Sequence, residues 1–199
     1  MKIGIDIDGV TADFVTPFLP LLKRFLGRNV YYEEITTYRF QDAFDYSSEM
    51  ESRLQDEIDR VNLLRHLPLM PGSLESINRL ARDHAVHFVT ARPEDRWGAT
   101  TRDWLDNYGL EYCSVIFRKG RKAEVDDRFD VFVEDRLETA LELADVGIRV
   151  FLFNHPWNQV EVLPEHLEQS LPRCGQELDR VAIDRGGDDS FLGHRFFIR

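Results

Sequence analysis

A chain of 199 residues, 43% hydrophobic and 12% aromatic, has the material for a packed core and lies far from a disordered composition. Its formal net charge of −11 argues against a nucleic-acid polymer or an acidic membrane surface as partner, since either wants a basic face, but it leaves room for a small anionic substrate beside a local cation. Two cysteines, Cys113 and Cys174, make no disulfide framework, and no apolar run approaches the roughly 20 residues that cross a bilayer, so a reducing cytoplasm is the expected location.

The opening MKIGIDIDGVTADF begins with a short strand, Lys2 to Ile5, and sets Asp6 and Asp8 at its end. Side chains at i and i+2 of extended backbone share a face, so the two carboxylates point one way. Two unit charges about 4 Å apart in an effective dielectric of about 20 repel by about 4 kcal/mol. A metal, a proton or wide exposure to water has to compensate. The same aspartates interrupt any charged-then-apolar leader, so no secretory signal is expected.

Phe14, Phe18, Leu21, Leu22 and Phe25 recur at helical spacing, with Gly27 as the stop. Residues 30–46 are aromatic and acidic without a clean period. SSEMESRLQDEIDRVNLL reads as a polar helix with a serine cap. LPLMPGS then places Pro71 to begin a helix whose apolar face is Leu74, Ile77, Leu80 and Ala81. From there the rhythm is regular: strand AVHFVT, helix face Trp97, Thr101, Trp104, Leu105 and Tyr108, strand YCSVIF, a short helix over 120–128, strand DVFVED, helix face Leu137, Ala140, Leu141 and Ala144 closed by Gly147, and strand IRVFLF. VLPEHLEQSL is expected to be helical, DRGGDDS a turn or linker, and FLGHRFFIR has no assigned place.

Near-continuous apolar strands alternating with helices predict an α/β fold, a Rossmann-like parallel sheet covered by helices on both faces. The first two strands are too far apart for one strand-helix-strand unit of about 30 residues. Residues 15–66 are therefore expected to form a small helical cap inserted after the first strand, with 1–14 and 67–199 forming the core domain. Ligands of parallel sheets bind outside the carboxyl ends of the strands. Those ends carry Asp6 and Asp8, then Thr90 in HFVTARP, then the basic FRKGRK, then Glu134 and Asp135 in DVFVEDR. Paired acids, a hydroxyl and lysines fit phosphoryl transfer through a carboxylate nucleophile, with a dication to offset repulsion between phosphate and carboxylates. Oxygen ligands favour Mg²⁺.

IDIDGV, FVTARP, a downstream lysine and VEDR, in this order, resemble the motifs of the haloacid dehalogenase superfamily. DGVTADF, LPLMPGSLESINRL, TARP followed by TRDWL, KAEV and DVFVEDRLETALELADVGIRVFLFNHPWN are similar to the 5′(3′)-deoxyribonucleotidase family. The resemblance implies a Mg²⁺-dependent phosphomonoesterase working through an aspartyl-phosphate, on nucleoside or deoxyribonucleoside monophosphates. It implies Asp6 as nucleophile and metal ligand, and Asp8 as general acid and base with its backbone carbonyl on the metal. It implies Thr90, Ala91 and Lys122 around the phosphate, with Lys119 the competitor for the lysine role. Asp135 would ligate the metal, and Glu134 would ligate it or hold its water. Where the best-known relatives carry a small hydroxyl residue after the threonine, this chain has Ala91 and then Arg92; its acid pair is Glu-Asp rather than Asp-Asp.

Other readings of the same residues are open at this stage. A calcium loop would want glycine where Thr11 stands and glutamate where Pro17 stands. Another small ester such as a sugar phosphate keeps the fold and changes the leaving group; a regulatory module that binds phosphate without turnover keeps the pocket. Phe14, Phe18, Tyr31, Tyr32, Tyr38 and Phe40 are read as the cap's own core, with stacking on a nucleobase the alternative. Trp97, Trp104 and Tyr108 are read as helix packing, and the six histidines as structural or exposed. Phe196, Phe197 and Ile198 would complete a fold edge or a homodimer contact.

Overall fold

The computed structural model describes residues 1–124, 129–160 and 167–169. Six parallel strands form one sheet: β1 (Lys2–Ile5), β2 (Ala85–Thr90), β3 (Ser114–Phe117), β4 (Val131–Glu134), β5 (Arg149–Leu152) and β6 (Leu167–Gln169), in the order β3-β2-β1-β4-β5-β6. The order reverses beside β1, so the crevice of the sheet opens between the ends of β1 and its neighbours β2 and β4. Ile5 pairs with Phe88 on one side and Val133 on the other, which brings the residues just beyond these strands to one edge.

Helices cover both faces, as the apolar strands require. Ile3, Ile5, Val86, Phe88, Val131 and Val133 face a core shared with Trp104 and Leu105. Val89, Phe132, Val150 and Leu152 face the other way, onto Ala140, Leu143 and Ala144 of helix Leu137–Asp145. Gly4 lies beneath the Phe132 ring, where a Cβ would come within 2.3 Å of Cε2.

The helical insertion after β1 carries α1 (Val15–Leu26), α2 (Phe40–Phe44) and α3 (Ser48–Arg60). Gly27 ends α1 in the left-handed region, with φ 67°, and donates its N–H to Lys23 O. Ser47 caps α3, its Oγ accepting from Met50 N at 3.2 Å. Phe18, Leu22, Leu54, Ile58, Leu63 and Leu64 join the same apolar cluster as Ile3 and Phe88, so the insertion packs on the sheet rather than around a separate core. Trp104 of α5 (Glu94–Asn107) is fully buried, and its indole N–H donates to Leu67 O at 2.8 Å, tying the exit of the insertion to the sheet.

Four local readings change. The stretch 30–46 contains a 3-10 turn, Tyr32–Glu34, and α2. Pro71 does not begin α4 (Ser73–Leu80); it occupies the second position of a type II turn in which Gly72 takes φ 78° and Ser73 N donates to Met70 O at 3.0 Å. Of the helix expected over 120–128, Lys122–Glu124 is a 3-10 turn, and 125–128 lie outside the described residues. Leu167–Gln169, expected to be helical, is the edge strand β6: pairing with Val150 to Leu152 gives its backbone groups partners that local propensity could not foresee. Cys174, DRGGDDS and Phe196 to Ile198 lie outside the described residues. Among the described residues no helix is long and apolar enough to cross a membrane.

Candidate active site

The DGVTAD loop is folded on itself. Thr11 and Ala12 donate their N–H groups to Ile7 O, and the Thr11 hydroxyl donates to Asp6 O at 2.8 Å. Asp6 N donates to Val133 O, extending the β1–β4 pairing by one residue and fixing Asp6 next to the end of β4. Met70 N and the Ser73 hydroxyl both donate to Thr11 O, anchoring the loop from below.

The ends of β1 and β4 and the turn after β3 therefore deliver their side chains to one place. One carboxylate oxygen each from Asp6, Glu134 and Asp135 lie within 4.8 Å of one another, all three buried. Lys122 reaches in from the turn after β3. Its Nζ stands 2.9 Å from Asp6 Oδ1 and 2.7 Å from Glu134 Oε2, and its side chain is 5% exposed. Lys119, the competitor, is exposed and 3.6 Å from Asp95. Thr90 is buried at the end of β2, its Oγ1 accepting from Arg92 N at 3.2 Å, and Ala91 lines the cavity beside it.

Three carboxylates against one ammonium leave the cluster strongly negative. Burial first, then the Glu134 charge, pushes Asp6 up to about 8. Burial, Glu134 and Asp6 push Asp135 well above the usual carboxylate range. Lys122 goes up as well, because the two carboxylates it touches outweigh the burial that would lower it. These directions agree: the ammonium stays charged but cannot neutralise every acid around it.

The residues fit a hard dication. Both Glu134 oxygens are engaged, Oε2 by Lys122 and Oε1 by the N–H groups of Asp135 and Arg136. Asp135 Oδ1, by contrast, is buried without a hydrogen-bond partner. An orphaned carboxylate oxygen beside two further acids is the donor set that Mg²⁺ takes. Glu134 is thus better placed to hold Lys122 and shape the site than to give both oxygens to a metal.

Asp8 does not join this cluster through its carboxylate. It turns to Arg92, whose Nε and Nη2 donate to Oδ2 at 2.8 Å and Oδ1 at 2.5 Å. Sequence reasoning met Arg92 only as a departure from a pattern; the one available signal was an arginine two residues past the hydroxyl. It also missed His155 and Asn158 in the loop after β5. Asn158 Nδ2 donates to Asp135 O at 2.7 Å. His155 is 5% exposed, and its Nε2 lies 2.7 Å from Gly9 O, an acceptor, so Nε2 carries the hydrogen. Nδ1 then accepts from the Tyr32 hydroxyl of the insertion. Burial lowers His155 to about 4, which keeps it neutral.

A cavity of about 460 Å³ opens over Asp8, Arg92 and Asp135. Phe18, Tyr38 and Phe40 line it from the insertion, and Phe14 lines it from the residue just before. Phe18 and Phe40 also pack on one another, with ring centroids 4.8 Å apart, so packing and cavity lining are one arrangement rather than two choices. Tyr38 is 37% exposed, but desolvation of its phenol and the charges of Asp135 and Asp6 hold it well above the ordinary tyrosine range, so it stays protonated. Trp97, read as helix packing, also lines the cavity, while its Nε1–H donates to Asp59 at 2.6 Å. Tyr31 is 60% exposed and takes no part.

The family described as "5' nucleotidase, deoxy (Pyrimidine), cytosolic type C protein" matches residues 1–166. A Bacillus subtilis (strain 168) relative, named "Putative nucleotidase YqfW", is 26% identical over 167 residues, covering 81% of this chain and 84% of its own. A haloacid dehalogenase-like hydrolase from Streptococcus pneumoniae shares the fold with a TM-score of 0.65 at 13% identity, over 91% of this chain and 96% of its own. The Bacillus subtilis protein YfnB, solved with bound magnesium, shares it with a TM-score of 0.59 at 15% identity, over 90% of this chain and 96% of its own. With a family match across most of its length, the chain belongs to the cytosolic type C family of deoxy (pyrimidine) 5′-nucleotidases, and its fold is that of haloacid dehalogenase-like hydrolases.

Proposed function

We propose that the protein is a Mg²⁺-dependent phosphomonoesterase that acts on nucleoside monophosphates, deoxyribonucleotides among them, through an aspartyl-phosphate on Asp6. The observation that carries this reading is the buried cluster of Asp6, Glu134 and Asp135 with Lys122 between two of them and the Asp135 Oδ1 atom unpartnered. The nucleotide rests on the family's description and on the named nucleotidase among the relatives. The cytosol as working location rests on the same description.

Asp6 is the nucleophile: a carboxylate oxygen attacks phosphorus and the ester P–O bond breaks. Asp8 gives a proton to the departing alkoxide. It then takes one from the water that attacks the aspartyl-phosphate, which releases inorganic phosphate and restores Asp6. Thr90 and Ala91 hold phosphate oxygens through hydroxyl and backbone N–H, and Lys122 neutralises one of them. Arg92 N uses Thr90 Oγ1 as its acceptor, which leaves the hydroxyl hydrogen for the substrate. Asp6, Asp135 and the Asp8 carbonyl would hold Mg²⁺, with Glu134 beside them, and the bound ion would supply charge neutralisation between phosphate and carboxylates. Residues 15–66 act as the cap over the core 1–14 and 67–199, and their aromatic side of the cavity receives the leaving group.

Purified protein with Mg²⁺ is assayed against nucleoside monophosphates, deoxynucleoside monophosphates and sugar phosphates, beside an Asp6→Asn control. Turnover of the nucleotides, lost in the control, is expected. Turnover of no ester, or undiminished turnover by the control, overturns the reading; sugar phosphates outrunning nucleotides would change the substrate and keep the chemistry.

A further inference from the structure

Asp8 is held in a way that the roles above do not require of it. Arg92 meets its carboxylate in a two-pronged contact, Nε to Oδ2 at 2.8 Å and Nη2 to Oδ1 at 2.5 Å. The guanidinium is the buried partner, 3% exposed, while the Asp8 side chain is 31% exposed on the cavity wall. Arg92 is itself fixed from behind. Its Nη1 donates to Thr101 Oγ1 at 3.1 Å, and Thr101 is fully buried on α5. Its backbone N–H is spent on Thr90. Three donors of one planar group are therefore assigned, and the plane of the Asp8 carboxylate is set by the core rather than by the loop that carries Asp8.

We propose that Arg92 is the positioning residue of Asp8, aiming its proton-carrying oxygen at the leaving-group oxygen in the cavity. A carboxylate offers about four lone-pair sites, and Arg92 occupies one on each oxygen, so each oxygen retains one for the proton it passes on. A planar fork fixes both the place and the rotation of a carboxylate, which a point charge does not. Transfer of a proton in the transition state demands that orientation. The buried guanidinium is also well insulated from a phosphate: both of its forward donors already serve Asp8. Arg92 thus acts through Asp8 and does not itself touch the reacting atoms.

This inference rests on the reading of Asp8 as proton donor, and the leaving group separates the two. p-Nitrophenolate departs without a proton; a nucleoside 5′-alkoxide needs one. The rate of Asp6 phosphorylation in a single turnover is measured with p-nitrophenyl phosphate and with a nucleoside 5′-monophosphate, in the presence of Mg²⁺, for wild type, Asp8→Asn, Arg92→Gln, Arg92→Lys and Thr101→Val. Arg92→Gln is expected to slow the alkyl ester about 10-fold or more and the aryl ester less than about 3-fold, with KM little changed. Arg92→Lys, which keeps the charge and loses the fork, is expected to restore only part of the alkyl rate. Thr101→Val takes away the rear anchor alone and is expected to show the same leaving-group dependence at smaller amplitude, about 2- to 5-fold. It carries the test if Arg92→Gln does not fold. Equal slowing of both esters by the Arg92 and Thr101 variants overturns the proposal, as does full rescue by lysine. Asp8→Asn distinguishing the esters while the Arg92 variants do not overturns Arg92 alone. Asp8→Asn failing to distinguish them overturns the Asp8 reading and the Arg92 proposal together.

Discussion

A Cβ on Gly9 would stand 2.3 Å from Asp135 Oδ2, and Gly9 holds its backbone at φ +82°. The loop after β1 can lie this close to the acid after β4 only because position 9 has no side chain. Gly9→Ala combines a collision with a left-handed strain of about 1–2 kcal/mol. The expected result is a loss of phosphatase activity of about 10-fold or more with weaker Mg²⁺ dependence, and a melting temperature lower by roughly 2–8 °C for a chain of this size. Activity titrated against Mg²⁺, beside a thermal melt, checks it.

Lys122 is buried between Asp6 and Glu134, so its removal strands both carboxylates. Breaking one side of a buried ion pair costs about 3–5 kcal/mol. Protons can take the place of the ammonium, so Lys122→Met is expected to destabilise the metal-free protein more at pH 8 than at pH 5. Urea denaturation in a chelator at the two pH values reads the difference. Lys119→Met, at an exposed residue 3.6 Å from Asp95, is expected to change stability by less than about 0.5 kcal/mol and to leave turnover intact.

Asp6 sits up at about 8 in the metal-free protein, against 3.8 for an ordinary aspartate. Between those values the folded state holds a proton that the unfolded state has released. Stability from this group is therefore greatest at low pH and falls as pH rises toward 8. Mg²⁺ bound at this site would replace that proton. At a Mg²⁺ concentration a hundredfold above its Kd at pH 8, the protein is expected to gain about 2.7 kcal/mol at that pH, and less at pH 5 at the same concentration, read as a smaller rise in melting temperature. Asp135→Asn removes the charge of the unpartnered carboxylate and is expected to abolish most of the shift; differential scanning calorimetry with and without Mg²⁺ tests both.

His155 runs in the opposite sense. Its folded pKa is lowered to about 4 from 6.5, so below 6.5 the unfolded chain binds the extra proton. Stability from this group is fully present above 6.5 and is lost as pH falls toward 4, by at most about 3 kcal/mol. Protonation would also turn Nδ1 from acceptor to donor and break its bond from the Tyr32 hydroxyl. His155→Gln carries no such proton. The loss of stability between pH 7 and pH 4.5, measured by urea denaturation, is expected to be smaller in the variant than in the wild type by about 1–2 kcal/mol.

The sequence alone determined whatever is repeated locally or stated at a strand end. Apolar runs such as VFVE are buried on both faces and could be read as parallel strands. Helical spacing in α1 and the glycine after it fixed that element to within a residue. Asp6, Thr90, Glu134 and Asp135 were legible because a parallel sheet brings successive carboxyl ends to one edge, so chain order already implies proximity. Tertiary structure decided what depends on distant partners. Arg92 meets Asp8 across 84 positions, and His155 meets Gly9 across 146, distances at which no periodicity carries information. The choice of Lys122 over Lys119 turned on which lysine of one basic stretch points inward, and that follows from the path of the turn after β3. β6 likewise became a strand because β5 had an open edge to pair with. Local chemistry sets which residues are eligible; long-range packing and hydrogen-bond satisfaction select among them, because a buried charge or backbone group is stable only where a partner happens to stand.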